Sequence, residues 1–227
     1  MVKKIAFGVL WLGFIVYAFV FAPPDSPDTF ELIKNLSTGQ WQGINPLVIA
    51  LFNLMGIWPM IYSAVLFVDG RGQKIAAWPF AAASFAVGAF ALLPYLALRQ
   101  PNPHFGGKKE SLVKQLDSRF TGIFLTLTAT VLVAYGLIAG DWSNFLQQWQ
   151  TSRFIHVMSL DFCLLCLLFP VLLRDDMTRR NWQNQQQFFW LFAVIPLFGP
   201  LLYLCLRPPL TQTTSNLIST QQQSVTS

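Results

Sequence analysis

Charge is scarce in this 227-residue chain. Only 11% of its residues are Asp, Glu, Lys or Arg, where an ordinary soluble domain carries about 25%. Hydrophobic residues make up 54%, with 21 Phe and 8 Trp among them. So few charges cannot screen so much apolar surface from water, which excludes a soluble all-α domain. Cysteine is also sparse. Cys163, Cys166 and Cys205 all fall inside apolar runs, and an odd number placed there excludes a disulfide framework. Cys163-x-x-Cys166 has redox or metal spacing, but a zinc site takes four ligands and no second cluster completes one. The cysteines therefore read as small packing residues. No P-loop, His-Glu-x-x-His or Gly-x-Ser-x-Gly motif occurs, so the sequence names no metal and no resident cofactor. The net charge of +5 does not point to nucleic acid, because the cations lie between apolar runs rather than along one basic face. Contact with anionic lipid head groups accounts for them.

What the chain has in quantity is apolar length. Six runs, 5–21, 47–68, 77–98, 120–139, 154–173 and 188–206, approach the ~20 residues that cross a bilayer as a helix. The expected fold is an all-α integral membrane bundle of six transmembrane helices. The units are 1–101, a connecting loop 102–118, a second three-helix unit 119–209, and a disordered polar tail 210–227. The first run follows Lys3 and Lys4 but ends in "FAPPDS", without a small-residue cleavage site, and reads as an uncleaved anchor. Two polar stretches carry apolar faces suited to the membrane interface: Phe30, Leu32, Ile33 and Leu36 in one, Trp142, Phe145, Leu146 and Trp149 in the other. With six spans, the balance of loop cations favours an N-terminus outside, against the pull of Lys3 and Lys4.

A shift of 108 residues aligns parts of the two halves. "QWQ" from Gln40 recurs from Gln148, and "LPYLALRQP" from Leu93 recurs as "LLYLCLRPP" from Leu201. The same shift sets Arg71 on Arg179 and Asn53 on Asp161. Two tandem three-span units would enter the membrane from opposite sides, which is the inverted repeat of many secondary transporters.

Polar residues inside the runs are the candidate site. Asp161 lies near mid-membrane, where a carboxylate needs partner helices, water or a proton. Acids so placed face the bundle interior and can orient or protonate a ligand. His156 stands five residues earlier, about 140° around a helix, so the two share no face. It reads mainly as an end residue bonded to backbone or water. Asn53, Gly56 and Pro59 in "FNLMGIWP" and Pro196, Gly199 and Pro200 in "IPLFGP" suggest two interrupted spans. Such interruptions free carbonyls for a ligand and mark binding sites. "RDDMTRR" after the fifth run reads as a solvated, self-compensating charge cluster, with an anionic head group as the other use.

The segments "FIHVMSLDFCLLCLLFPVLLRDD" and "PLFGPLLYLCLRP" resemble the small plant membrane proteins of the abscisic-acid-deficient type, which are required for neoxanthin formation. His156, Asp161, Gly199, Pro200 and Arg207 match that pattern over about the last 90 residues, while Cys163 and Leu164 stand where the family has Gly-Arg. The whole layout is similar to uncharacterised multi-pass proteins of cyanobacteria and plastids, which implies a thylakoid or plasma membrane. These resemblances imply an apolar isoprenoid or carotenoid-related pigment, or a lipid, bound near Asp161 and His156. Catalysis would be acid-assisted isomerisation of a carotenoid end group. A non-catalytic pigment carrier or assembly factor of photosynthetic complexes fits the same residues. A small-solute transporter is the third class.

Overall fold

The structure, a computed structural model, describes residues 2–102 and 110–210. The polar tail from 211 and the centre of the connecting loop, 103–109, lie outside the described residues. Every regular element among those described is helical.

Four helices are long and apolar enough to cross a membrane. The first is α1 (Val2–Val16), prolonged by a π-helical turn at Tyr17–Phe21. The others are α3 (Pro46–Asp69), α7 (Arg119–Ala139) and α9 (Arg153–Arg179). Their starts are encoded locally. The Asn45 side chain accepts the Leu47 N–H ahead of Pro46, and Ser118 accepts that of Thr121, each satisfying a donor that a helix start leaves unpaired. Large apolar side chains stay on the outside: Phe120 is 77% exposed, Ile138 86% and Leu167 72%. Water would not tolerate such a belt, and lipid covers it without cost.

Two ten-residue amphipathic helices, α2 (Thr29–Thr38) and α8 (Trp142–Thr151), precede α3 and α9, as the aromatic patterning predicts. Leu36 from α2 packs with Val48, Ile49, Ile155 and Met158 at the starts of α3 and α9, and Phe145 and Trp149 from α8 join them.

The third and sixth apolar runs, expected as single spans, are each broken into two short helices, so four long apolar helices stand among the described residues where six were expected. The third splits into α4 (Trp78–Val87) and α5 (Ala89–Leu98). Each is about 15 Å long, half a bilayer. Both outer ends stand at the end of α3. A Cβ on Gly70 would lie 2.5 Å from that of Ala77, while Arg99 bonds Asp69 at 2.6 and 2.8 Å. The pair therefore runs back along the bundle from that end and returns to it, a re-entrant hairpin. The sixth run splits into α10 (Gln185–Val194) and α11 (Phe198–Leu206) and turns back the same way. The Trp182 ring before α10 lies 5.6 Å from that of Tyr203, and Arg180 donates to the Pro208 carbonyl just past α11. The reversals fall at Gly88 (φ 50°) and Leu197 (φ 58°), a backbone region that glycine reaches without strain and leucine does not. α3, by contrast, is continuous through Gly56 and Pro59. The expected interruption is in the next apolar run instead.

Spans and re-entrant pairs bring both chain halves to one end of the bundle. Lys4 near the start of α1 donates to Leu98 at the end of α5, and α6 (Ser111–Leu116) lies there too, with Val113 against Val68. Lys34 and Arg153 are the cations of the opposite end; every other described Lys and Arg belongs to this one. Each unit contributes two of the four long apolar helices, α1 and α3 from the first and α7 and α9 from the second.

Much of the "RDDMTRR" cluster departs from expectation: Asp176, Arg179 and Arg180 are buried, while Arg174 and Thr178 stay exposed. Asp69 and Asp176 are 0% exposed and Arg180 is 3%. Arg99 joins Asp69 to Asp175, and Arg179 joins Asp69 to Asp176 at 2.9 Å each. Arg180 holds Asp176 and Asp117. Tyr95 and Tyr203 donate to Asp69 and Asp176, both at 2.6 Å. Burial alone lowers the pKa of Arg99, but the hydrogen bonds and charges of Asp69 and Asp175 outweigh it and hold the guanidinium above its ordinary value. Arg207 goes the other way, lowered by burial and by the neighbouring Arg180 charge. These contacts tie the ends of α3 and α5 to those of α9 and α11.

Candidate functional site

Asp161, on the membrane-buried part of α9, reaches across to the tip of the first re-entrant pair. Its Oδ1 accepts the Ala89 N–H at 2.8 Å. Ala89 is the first residue of α5, so the carboxylate caps a helix from another part of the chain. The orphan N–H and the positive end of the helix dipole favour a negative group at this position. The fit leaves room only for glycine at the tip: a Cβ on Gly88 would stand 1.7 Å from Asp161 Oδ2. The Gly88 N–H is itself spent on the Ser84 carbonyl, 2.9 Å away.

Each helix of the first re-entrant pair, ten residues, is less than half the length of the 24-residue α3. Past its tip, on the side of α2 and α8, the bundle leaves a cavity of about 420 Å³. Its walls are apolar: Phe19 on the π-helical turn, Phe52 and Met55 on α3, Phe85 and Phe90 on the re-entrant pair, Phe154 and Met158 on α9. Asp161 lies at the inner end, and Asp25, Thr29 and Arg153 line the end towards α2. Asp25 accepts from Thr29 at 2.9 Å, while Arg153 donates to the Pro23 carbonyl at 3.1 Å. Phe19, Phe85 and Val87 are 68%, 55% and 47% exposed on the outer surface, so the cavity is open sideways to lipid. Volume and lining match an ordinary small-molecule site: mostly apolar, with few convergent polar groups.

The residues singled out from sequence divide around this cavity. Asp161 and Gly56 line it. His156 does not. It is buried beside the cavity, with Nε2 2.8 Å from the Tyr17 hydroxyl, Nδ1 2.9 Å from the Trp149 carbonyl, and its ring 4.3 Å from that of Trp149. The carbonyl can only accept, so Nδ1 carries a proton, and Nε2 shares a hydrogen bond with the Tyr17 hydroxyl. His156 thus ties α1, α8 and α9 together. Asn53 donates to Ile49 on its own helix and does not reach Asp161. Pro59 is buried within α3, and Pro196, Gly199 and Pro200 belong to the second re-entrant tip, outside the cavity lining. A Cβ on Gly199 would stand 2.4 Å from the Phe192 carbonyl oxygen, so this glycine lets α10 and α11 close on each other.

Sequence reasoning missed Gly88, Ser84 and the Phe19–Phe52–Phe90 walls. One signal was present: the 108-residue shift that sets Asn53 on Asp161 also sets Gly88 on Pro196, an interrupter opposite an interrupter. The chain matches no known protein-family pattern, no characterised protein and no solved structure.

Proposed function

We propose that this membrane protein takes the apolar end of an isoprenoid or pigment molecule sideways from the bilayer into the cavity beneath Asp161. One observation carries the reading. An aromatic-walled cavity open to lipid has a single carboxylate at its inner end, held by a backbone N–H at mid-membrane depth. Phe19, Phe52, Phe85, Phe90 and Phe154 offer ring faces and edges to a conjugated or branched hydrocarbon. The cavity suits one end group of a long polyene, with the remainder of the molecule lying in lipid. Asp161 supplies the polar contact. Its Oδ1 is engaged by Ala89, and Oδ2 has no hydrogen bond among the described residues. An isomerase would use this carboxyl group to move a proton on the bound end group; a carrier or assembly factor would use it only for orientation. The carotenoid-related ligand and a photosynthetic membrane rest on the family resemblance. We read the two halves as copies of one unit related by an axis along the membrane normal. The argument for a transporter built from inverted repeats then falls away.

The test is the bound material itself. The protein, produced in a carotenoid-making host and purified in mild detergent, is extracted and its pigments and isoprenoids are measured per mole. Wild type is expected to retain such a molecule. Gly56→Trp, which fills the cavity from a position where a Cβ meets nothing within 4 Å, is expected to lose it. A wild-type extract no richer than that of an unrelated membrane protein would end this reading.

A further inference from the structure

A second cavity, of about 500 Å³, lies at the opposite, cation-rich end, between the last turns of α9 and the start of α10. It is lined by Arg174, Gln185, Gln186, Phe189 and Trp190, none of which belongs to the site at Asp161. Arg174 differs from its neighbours in the chain. Arg179 and Arg180 are buried on carboxylates, and Asp175, the residue after Arg174, is taken by Arg99. The Arg174 guanidinium has no carboxylate within ion-pair distance among the described residues. It lies over the Phe189 ring, 5.7 Å from the centroid, a cation–ring placement that leaves the fork of N–H donors free. Gln185 is fixed beside it, donating to the Arg174 carbonyl at 2.8 Å and to the Thr178 hydroxyl at 3.0 Å.

The surroundings of this notch are apolar on one side only. Leu167, two turns before Arg174 on α9, is 72% exposed, and Trp190 and Val194 on α10 are 66% and 65% exposed. An apolar strip therefore runs from the guanidinium towards mid-membrane along both helices. Trp190 sits where an indole suits the head-group layer. The occupant must combine an anion at the level of the helix ends with hydrocarbon extending inward. We propose that this notch binds the phosphodiester head group of an anionic membrane lipid. Arg174 pairs the phosphate, Gln186 stands ready as an additional donor, and an acyl chain lies between Leu167 and Trp190. Arginine fits because its planar fork meets two phosphate oxygens at once. The site stands apart from the cavity at Asp161 and does not depend on what that cavity holds.

The test uses the full chain in lipid nanodiscs containing equal amounts of phosphatidylglycerol and phosphatidylcholine. The lipids that stay bound are counted by native mass spectrometry after release. Wild type is expected to retain phosphatidylglycerol over phosphatidylcholine by about tenfold, the scale of one charged hydrogen-bonded contact. Arg174→Gln should bring the ratio to near one. Gln186→Glu, which sets a carboxylate in the notch and leaves Arg174 in place, should lower it too. Lys74→Gln, which removes an exposed cation at the same end, should leave it unchanged. Excess inorganic phosphate should not displace the lipid. Equal losses in Arg174→Gln and Lys74→Gln would mean diffuse surface attraction and overturn the site. Unchanged retention in Arg174→Gln would overturn it as well, and displacement by inorganic phosphate would overturn the lipid as its occupant.

Discussion

Asp161 shows how one residue can answer two demands. Its position inside an apolar helix marks it as functional by default, and the fold supplies a structural use as well, because its Oδ1 caps α5. Substitution separates the two. Asp161→Asn keeps an oxygen for the Ala89 N–H and is expected to change unfolding stability by less than about 1 kcal/mol. Asp161→Leu leaves that N–H unpaired in an apolar interior and is expected to cost about 1–3 kcal/mol. Thermal unfolding of the purified variants in one detergent reads both. If Asn and Leu prove equally destabilising, the charge rather than the hydrogen bond holds the tip. His156 was legible as polar and near a helix end, but its pairing with Tyr17 and Trp149 depends on a π-helical turn that no residue pattern announces.

Among elements, the re-entrant pairs matter most. Hydropathy registers an apolar run of about 20 residues in the same way whether it crosses or doubles back, so the third and sixth runs read as spans. A positive φ at Gly88 and the close pass of Asp161 mark where the third run turns back on itself. Two glycine substitutions give a sharp contrast. Gly88→Ala forces a Cβ into the Asp161 carboxylate at a strained φ and is expected to cost about 2–4 kcal/mol. Gly56→Ala, on a continuous helix with open space around it, is expected to be neutral or to stabilise by up to about 1 kcal/mol. A difference of several degrees in melting temperature between them is the expected readout, and similar values would remove the strained tip from the account. The amphipathic α2 and α8 were legible in sequence because apolar residues on one helical face are a local pattern. The break expected at Gly56 and Pro59 was not there: α3 runs unbroken through both, because a membrane helix tolerates either residue where its freed backbone groups find other partners.

At the scale of the whole molecule, the buried carboxylate–guanidinium network joins the halves. Asp69 receives Tyr95, Arg99 and Arg179 together. Asp69→Ala leaves two buried guanidinium groups short of a partner and is expected to cost about 3–5 kcal/mol, seen as a lower unfolding temperature and easier proteolysis between the halves. The crossings themselves can be tested from outside. Four spans with two re-entrant pairs put Glu110 on the same side as the N-terminus; six spans would put it on the other. With the native cysteines replaced, Glu110→Cys and Val2→Cys are expected to react with a membrane-impermeant thiol reagent from the same face of sealed vesicles. The gathering of cations at that end predicts the cytoplasmic face. Reaction from opposite faces would restore the six-span layout.

The sequence by itself determined the solvent and the class of fold. Scarce charge, long apolar runs and paired amphipathic stretches permit helices in lipid and little else, since each helix satisfies its own backbone. It also marked Asp161 and Gly56, two of the residues that line the cavity. Which runs cross, which turn back, and how the halves face each other came from tertiary structure alone. Those outcomes depend on single contacts between residues far apart in the chain, such as Asp161 with Ala89 and Asp69 with Arg179. Hydrophobic pattern is a local quantity and carries no record of them.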